Sequence, residues 1–279
     1  MPINRFPDSI EKRELRRLDR RALERFCANQ HHSTGLQYCG MPSVQFLDVR
    51  EWKSILRSVD AIEYDPEVLK DMRLTWPTFE MGIPVEFHEL NVTEYLGITS
   101  KVFDLYNLDF YGGFLHETKS GASKTANAIR SLIHRQAENQ RSFVLIATFN
   151  IRENAAAEYE KFLTAIPKTL HGWKGVKANC DFHNSKPYLK TKFGFCYFCS
   201  DTGRTNKFDT SFNRIYMYNS GSTTLLHFWC EFSFKEQAIP TIADPANLAE
   251  LANMPLYVMK GQVAERKFVP PEIHSLGHS

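Results

Sequence analysis

Two groups of residues have types and spacings that could do chemistry. The run Asn107-Leu108-Asp109-Phe110-Tyr111-Gly112-Gly113 sets an amide, a carboxylate and two aromatic rings ahead of a glycine pair. It closes the strand-like stretch 101–110. Sheets of α/β proteins bind ligands beyond the carboxyl ends of their strands, so such a run at a strand exit points to a pocket. A carboxylate beside aromatic rings has its charged form disfavoured, which suits Asp109 to accept a proton. The plainer alternative is that Asp109 caps the following turn. The second group is Cys180-x2-His183 and Cys196-x2-Cys199, twelve residues apart. Two close pairs of thiol and imidazole ligands have the spacing of a structural zinc site. The competing reading is an insert packed by Phe193, Phe195, Tyr197 and Phe198, with reduced cysteines inside. Six cysteines in 279 residues do not make a disulfide scaffold.

These residues need elements to position them. Leu15, Leu18, Ala22 and Phe26 recur at helical spacing after Asp8-Ser9, so 9–30 should form an amphipathic helix. A short strand then runs through Leu36-Gln37-Tyr38-Cys39 into the turn Gly40-Met41-Pro42-Ser43. Strand-like runs follow at 59–64, 84–90, 101–110 and 142–151, with helical patterns at 67–73, 123–139 and 154–163. The uncharged Phe143-Val144-Leu145-Ile146-Ala147-Thr148-Phe149 suits the buried centre of a parallel sheet. Alternating strand and helix from residue 34 onward argues for a parallel sheet covered on both faces. Residues 171–213 break the alternation and read as a basic, aromatic, turn-rich insert. Two strand-like runs, 214–218 and 223–234, flank a hairpin turn at Asn219-Ser220-Gly221-Ser222. The proline-bearing tail from Lys235 is expected to run over the surface, with a helix near 246–253.

This order of elements over 34–234 resembles the class I S-adenosylmethionine (SAM) methyltransferases. The resemblance implies an α/β fold: a Rossmann-like, mostly parallel seven-stranded sheet with a terminal antiparallel hairpin and helices on both faces. A basic N-terminal helix over residues 1–33 and a tail over 235–279 would flank it. It also implies a cofactor site. The glycine turn after the first strand would be Gly40, with one glycine where the family has two or three. The acid that accepts from the ribose hydroxyls would be Glu63, at the end of Ala61-Ile62-Glu63; two carboxylate oxygens can accept from both hydroxyls. Asn91 would meet the adenine amino group. Amino-methylating members carry Asn or Asp, two prolines and an aromatic residue after the fourth strand. Asn107 and Phe110 match the outer positions, and Leu108 and Asp109 replace the prolines. Asn107, Asp109 and Phe110 are thus the expected acceptor residues.

Composition narrows the partners. The net charge is +2, so the chain is no polycation. Basic residues are nonetheless concentrated within 12–25, where Lys12, Arg13, Arg16, Arg17, Arg20, Arg21 and Arg25 are diluted by Glu14, Asp19 and Glu24. One face of such a helix could attract phosphate backbones or a protein partner; the bland reading is a solvated helix laced with ion pairs. Insert 171–213 adds lysines interleaved with Tyr188, Phe193 and Phe195, as base-stacking surfaces would be. No apolar run reaches the roughly 20 residues of a membrane span, and no secretory signal opens the chain, so a cytoplasmic protein is expected. The leading expectation is a SAM-dependent methyltransferase acting on a nucleic-acid base. The alternatives are a methyltransferase-like scaffold subunit without catalysis, or another nucleotide-binding Rossmann protein.

Overall fold

The computed structural model describes residues 8–30, 34–110, 114, 123–151, 187–237, 250–251 and 254–268. The expected helix at 154–163 and most of that near 246–253 lie outside them. Helix α1 (Ile10–Asn29) starts where Ser9 accepts the Lys12 N–H, and it buries Leu15, Asp19, Ala22, Leu23 and Phe26 on one stripe. Four parallel βα steps follow: β1 (Leu36–Gly40), α2 (Leu47–Trp52), β2 (Leu56–Glu63), α3 (Pro66–Thr75), β3 (Val85–Glu89), α4 (Val92–Ile98), β4 (Leu105–Phe110), α5 (Lys124–Glu138) and β5 (Phe143–Asn150). Helix α6 (Pro187–Thr205) leads into the long hairpin β6 (Phe208–Ser220) and β7 (Thr223–Phe234). A second hairpin, β8 (Leu256–Lys260) and β9 (Val263–Phe268), ends the described chain.

All nine strands form one sheet in the order β3-β2-β1-β4-β5-β7-β6-β8-β9. Strands β1 to β5 are mutually parallel, and β7 enters antiparallel between β5 and β6. The apolar run of β5 is buried along its length between β4 and β7, as its lack of charge requires. Two expectations are corrected. The sheet has nine strands rather than seven. The stretch read as a surface tail supplies the other two, because Leu256 and Met259 bury themselves by pairing β8 alongside β6.

The described part of the 171–213 insert is also not turn-rich. Residues 191–200 form a fully buried section of α6. Phe195 packs against Phe114, Phe149 and Phe228, so its ring fills the core rather than standing out to stack on bases. Phe193 is buried likewise. Among the described residues no helix is long and apolar enough to cross a membrane.

At the amino end of the sheet, Asp104 is fully buried. It accepts from the Gln37 N–H at 2.8 Å and from the Arg141 guanidinium at 2.7 and 2.9 Å. This satisfied ion pair clamps the starts of β1, β4 and β5 to one another. The register it fixes sets which side chains emerge at the opposite ends.

Candidate functional site

The strand order reverses between β1 and β4, which opens a crevice at their carboxyl ends. Gly40 stands on one side of it and Asn107 on the other, as direct register partners. A Cβ on Gly40 would lie 2.3 Å from the Tyr38 hydroxyl and 2.7 Å from the backbone carbonyl oxygen of Asn107. Only glycine fits. Gly40→Ala is therefore expected to destabilise the fold by about 1–3 kcal/mol, as overpacking does, and a denaturant melt reads it directly.

Beneath Gly40 lies a buried polar knot that the sequence did not announce. The Tyr38 hydroxyl donates to Asp48 Oδ2 at 2.6 Å, and the Asn107 amide donates to the same oxygen at 2.7 Å. Burial, reinforced by the Asp48 charge, pushes the Tyr38 phenol far above its ordinary pKa, so it stays a donor. The knot fixes the amide nitrogen of Asn107 and leaves its carbonyl oxygen as the end able to accept. Tyr38 occupies the strand position two before Gly40, and Asp48 begins the short helix α2. Neither belongs to a motif, and nothing but their later proximity marks them.

Glu63 ends β2, half-buried. Its Oε1 accepts the Asp65 N–H at 2.9 Å, and its Oε2 has no hydrogen-bond partner among the described residues. Asp65 is the N-cap of α3, accepting from Glu67 N–H and Val68 N–H with Pro66 following. The two acids therefore divide the work: Asp65 starts the helix, and Glu63 keeps an oxygen available. Asn91 is different. Its Oδ1 accepts from both the backbone N–H and the hydroxyl of Thr93, at 2.9 and 2.8 Å, as the N-cap of α4. The residue expected at the adenine amino group is thus the cap of α4 in this structure, the alternative that its place at a strand exit also allows.

At the tip of β4, Phe110 is buried and stacks on Phe149 with centroids 5.3 Å apart. Its ring belongs to the apolar core beneath the strand tip. Asp109 is exposed and pairs in register with Thr148 on β5. Tyr111, Gly112 and Gly113 lie outside the described residues. The protein mass around Asp109 raises its carboxyl pKa by desolvation; Lys12 and His227 pull it down, and Asp48 adds a push upward. Because the side chain is open to solvent, water screens part of that shift. The cations reveal the neighbourhood. Lys12 belongs to the first turn of α1, a helix that packs near Thr148, the register partner of Asp109. Asp19 on α1 anchors it there, 3.1 Å from His227 Nε2 on β7, while His227 Nδ1 meets Thr148 Oγ1 at 3.1 Å.

The zinc expectation is not supported. Cys180 and His183 lie outside the described residues. Cys196 and Cys199 sit on α6 inside the aromatic core, with Cys230 of β7 beside Cys199, and burial raises the Cys196 thiol pKa, which opposes the thiolate a metal needs. A different metal-like triad, Asp60, Glu86 and His88, lies on β2 and β3. Its centre is already served by a cation: Lys101 Nζ is 2.8 Å from Asp60 and 2.5 Å from Glu86. That cluster is an ion network, with the Tyr95 hydroxyl as a further donor to Asp60.

No protein-family model matches the sequence, and no curated protein matches it. Many solved structures similar to the chain are methyltransferases. A magnesium protoporphyrin IX methyltransferase from Synechocystis, solved with bound SAH, is 10% identical with a TM-score of 0.41, covering 78% of this chain and 83% of its own. A putative RNA methyltransferase from Pyrococcus horikoshii is 10% identical with a TM-score of 0.40 and the same two coverages. A putative caffeoyl-CoA O-methyltransferase from Staphylococcus aureus is 13% identical with a TM-score of 0.37, covering 76% and 82%. These are distant likenesses. What they share with this chain is the fold, and the strand order of the chain itself is that of a Rossmann-like, mostly parallel α/β sheet.

Proposed function

We propose that the chain binds SAM across the tips of β1 and β2 and methylates an amino group of a nucleic-acid base seated at the tip of β4. Glu63 is the observation that carries this reading. It stands at the end of the strand next to the switch point, half-buried, with one oxygen positioned by Asp65 and the other without a partner among the described residues. A carboxylate so placed suits a ribose diol. Gly40 lets backbone come close at the neighbouring tip. SAM, when bound, supplies an electrophilic methyl group on a sulfonium. The work left to the protein is to orient the acceptor and take its proton. The Asn107 carbonyl oxygen, its amide anchored by Asp48, is suited to accept from the acceptor amine. Asp109 stands two residues further along the same strand, able to take the proton that the nitrogen loses as the nitrogen–carbon bond forms and the sulfur–carbon bond breaks.

A second reading has its own support. The space beside Gly40 is filled from within by the Tyr38 hydroxyl, so the glycine is needed for packing whether or not a cofactor approaches. On that reading the chain is a methyltransferase-like scaffold without catalysis. Calorimetric titration with SAM and with S-adenosylhomocysteine separates the two. The enzyme reading expects saturable heat with both ligands. No heat with SAM near about 1 mM, where binding free energy is only about 4 kcal/mol, would overturn it and favour the scaffold.

A further inference from the structure

A groove of about 590 Å³ lies between the first half of α1, helix α2 and the turn around Phe79. Its lining carries Arg13, Arg16, Arg17, Arg50 and Lys53 against two carboxylates, Asp8 and Glu51. The carboxylates are partly spoken for. Asp8 is bound to Arg16 at 2.5 Å with Arg13 at 3.8 Å, Glu14 faces Arg17 at 3.5 Å, and Glu51 faces Arg20, a residue outside the lining, at 3.7 Å, so Arg50 and Lys53 carry no such partner among the described residues. Four cations, Arg13, Arg17, Arg50 and Lys53, are exposed. Arg50 has no carboxylate partner among the described residues; its guanidinium lies 4.7 Å over the Phe79 ring, which helps hold it in place.

The groove is not the cofactor crevice. Helix α1 joins the two places: Arg13, Arg16 and Arg17 line the groove, while Asp19 of the same helix holds His227, which meets Thr148, the register partner of Asp109. A chain held along this side of α1 therefore has its neighbouring units beside the acceptor site. Repeated cations on one open groove suit a repeated anion, and a single small phosphate would leave most of them unmatched.

We propose that this groove holds the phosphate backbone of a nucleic-acid strand and so delivers a base to the tip of β4. The assignment extends the acceptor reading given above, but its test needs no SAM. Fluorescence anisotropy with a labelled mixed-sequence DNA oligonucleotide, single-stranded and annealed, is measured against salt for the full chain. Three variants are compared: the wild type, Arg13→Ala/Arg17→Ala/Arg50→Ala in the groove, and Arg130→Ala/Lys207→Ala/Lys235→Ala far from it. All six positions are exposed, and thermal melts verify that each variant folds.

The groove variant is expected to bind about tenfold or more weakly at low salt. Its slope of log affinity against log salt should be shallower by about 2–3, one phosphate contact per arginine. The distant variant should keep the wild-type affinity. Failure of the wild type to bind either oligonucleotide overturns the proposal, and so does an equal loss in both triple variants, which would mark a diffuse charge effect. Binding in the groove with no SAM heat would leave the groove in place and remove only the enzyme reading; SAM heat with no DNA binding would do the reverse.

Discussion

Glu63→Ala is expected to lower SAM affinity by about 100-fold while the protein stays folded. Two ribose hydroxyls donating to an ionised carboxylate contribute roughly 1.5–3 kcal/mol each, only part of which survives competition with water, so a net loss near 3 kcal/mol is the expected scale. The fold should tolerate the change. Glu63 is half-buried, and among the described residues its one hydrogen bond is that from the Asp65 N–H, which water can replace at a cost of about 1 kcal/mol. Glu63→Gln keeps one accepting oxygen and should fall between the two. Asp65→Ala serves as the counterpart. It removes the cap of α3 and lowers stability by about 1 kcal/mol, yet should leave SAM affinity near that of the wild type. Titration of the three variants reads this directly. Should Asp65→Ala abolish binding and Glu63→Ala spare it, the ribose acid has been misassigned by two residues and the β2 tip must be redrawn around Asp65.

The sequence showed some of this architecture and concealed the rest, for reasons visible in single residues. The buried centre was legible because Phe143 to Phe149 carry no charge, and only a strand covered on both faces has that composition. The end of β2 at Glu63 was legible because Tyr64-Asp65-Pro66 punctuates a strand end and opens a helix. Helix α1 was legible from its stripe. Residues 256–268 were not. A hairpin with prolines upstream, and Lys260, Glu265 and Arg266 within it, has no strong alternation, and only the waiting edge of β6 makes it a sheet. Asn91 was ambiguous for a related reason: an Asn at a strand exit looks the same as ligand or as cap, and the sequence could not show its two Thr93 partners. Cys196 and Cys199 misled because a C-x2-C spacing is shared by a zinc knuckle and by one face of a buried helix. The Tyr38–Asp48–Asn107 knot could not have been found at all. Its members are 10 and 59 residues apart, and only the parallel pairing of β1 with β4 brings them to one oxygen.

That pairing also decides what Asp109 can do. Asp109→Asn is expected to lower the methyl-transfer rate by about 10²–10⁴-fold, the usual contribution of a positioned proton acceptor, with SAM affinity unchanged. Desolvation raises the Asp109 carboxyl pKa, Lys12 and His227 lower it, and Asp48 raises it again, the net direction being upward. The base works only when ionised. The wild-type rate should therefore climb with pH through a limb lying above the ordinary carboxylate pKa of about 3.9, and Asp109→Asn should lose that limb. Lys12→Ala removes a cation that favours the carboxylate and should move the limb to higher pH. Stability runs in the opposite sense. A carboxyl whose folded pKa is raised is fully tolerated at low pH, where it is neutral in both states. Its contribution turns unfavourable as pH rises through the unfolded pKa toward the folded one. Asp109→Asn should thus melt higher than the wild type at neutral pH and at the same temperature in acid. A purely structural Asp109, capping the turn that follows β4, would give the reverse: Asp109→Asn would melt no higher at neutral pH, and the pH limb of the remaining rate would stay where it was.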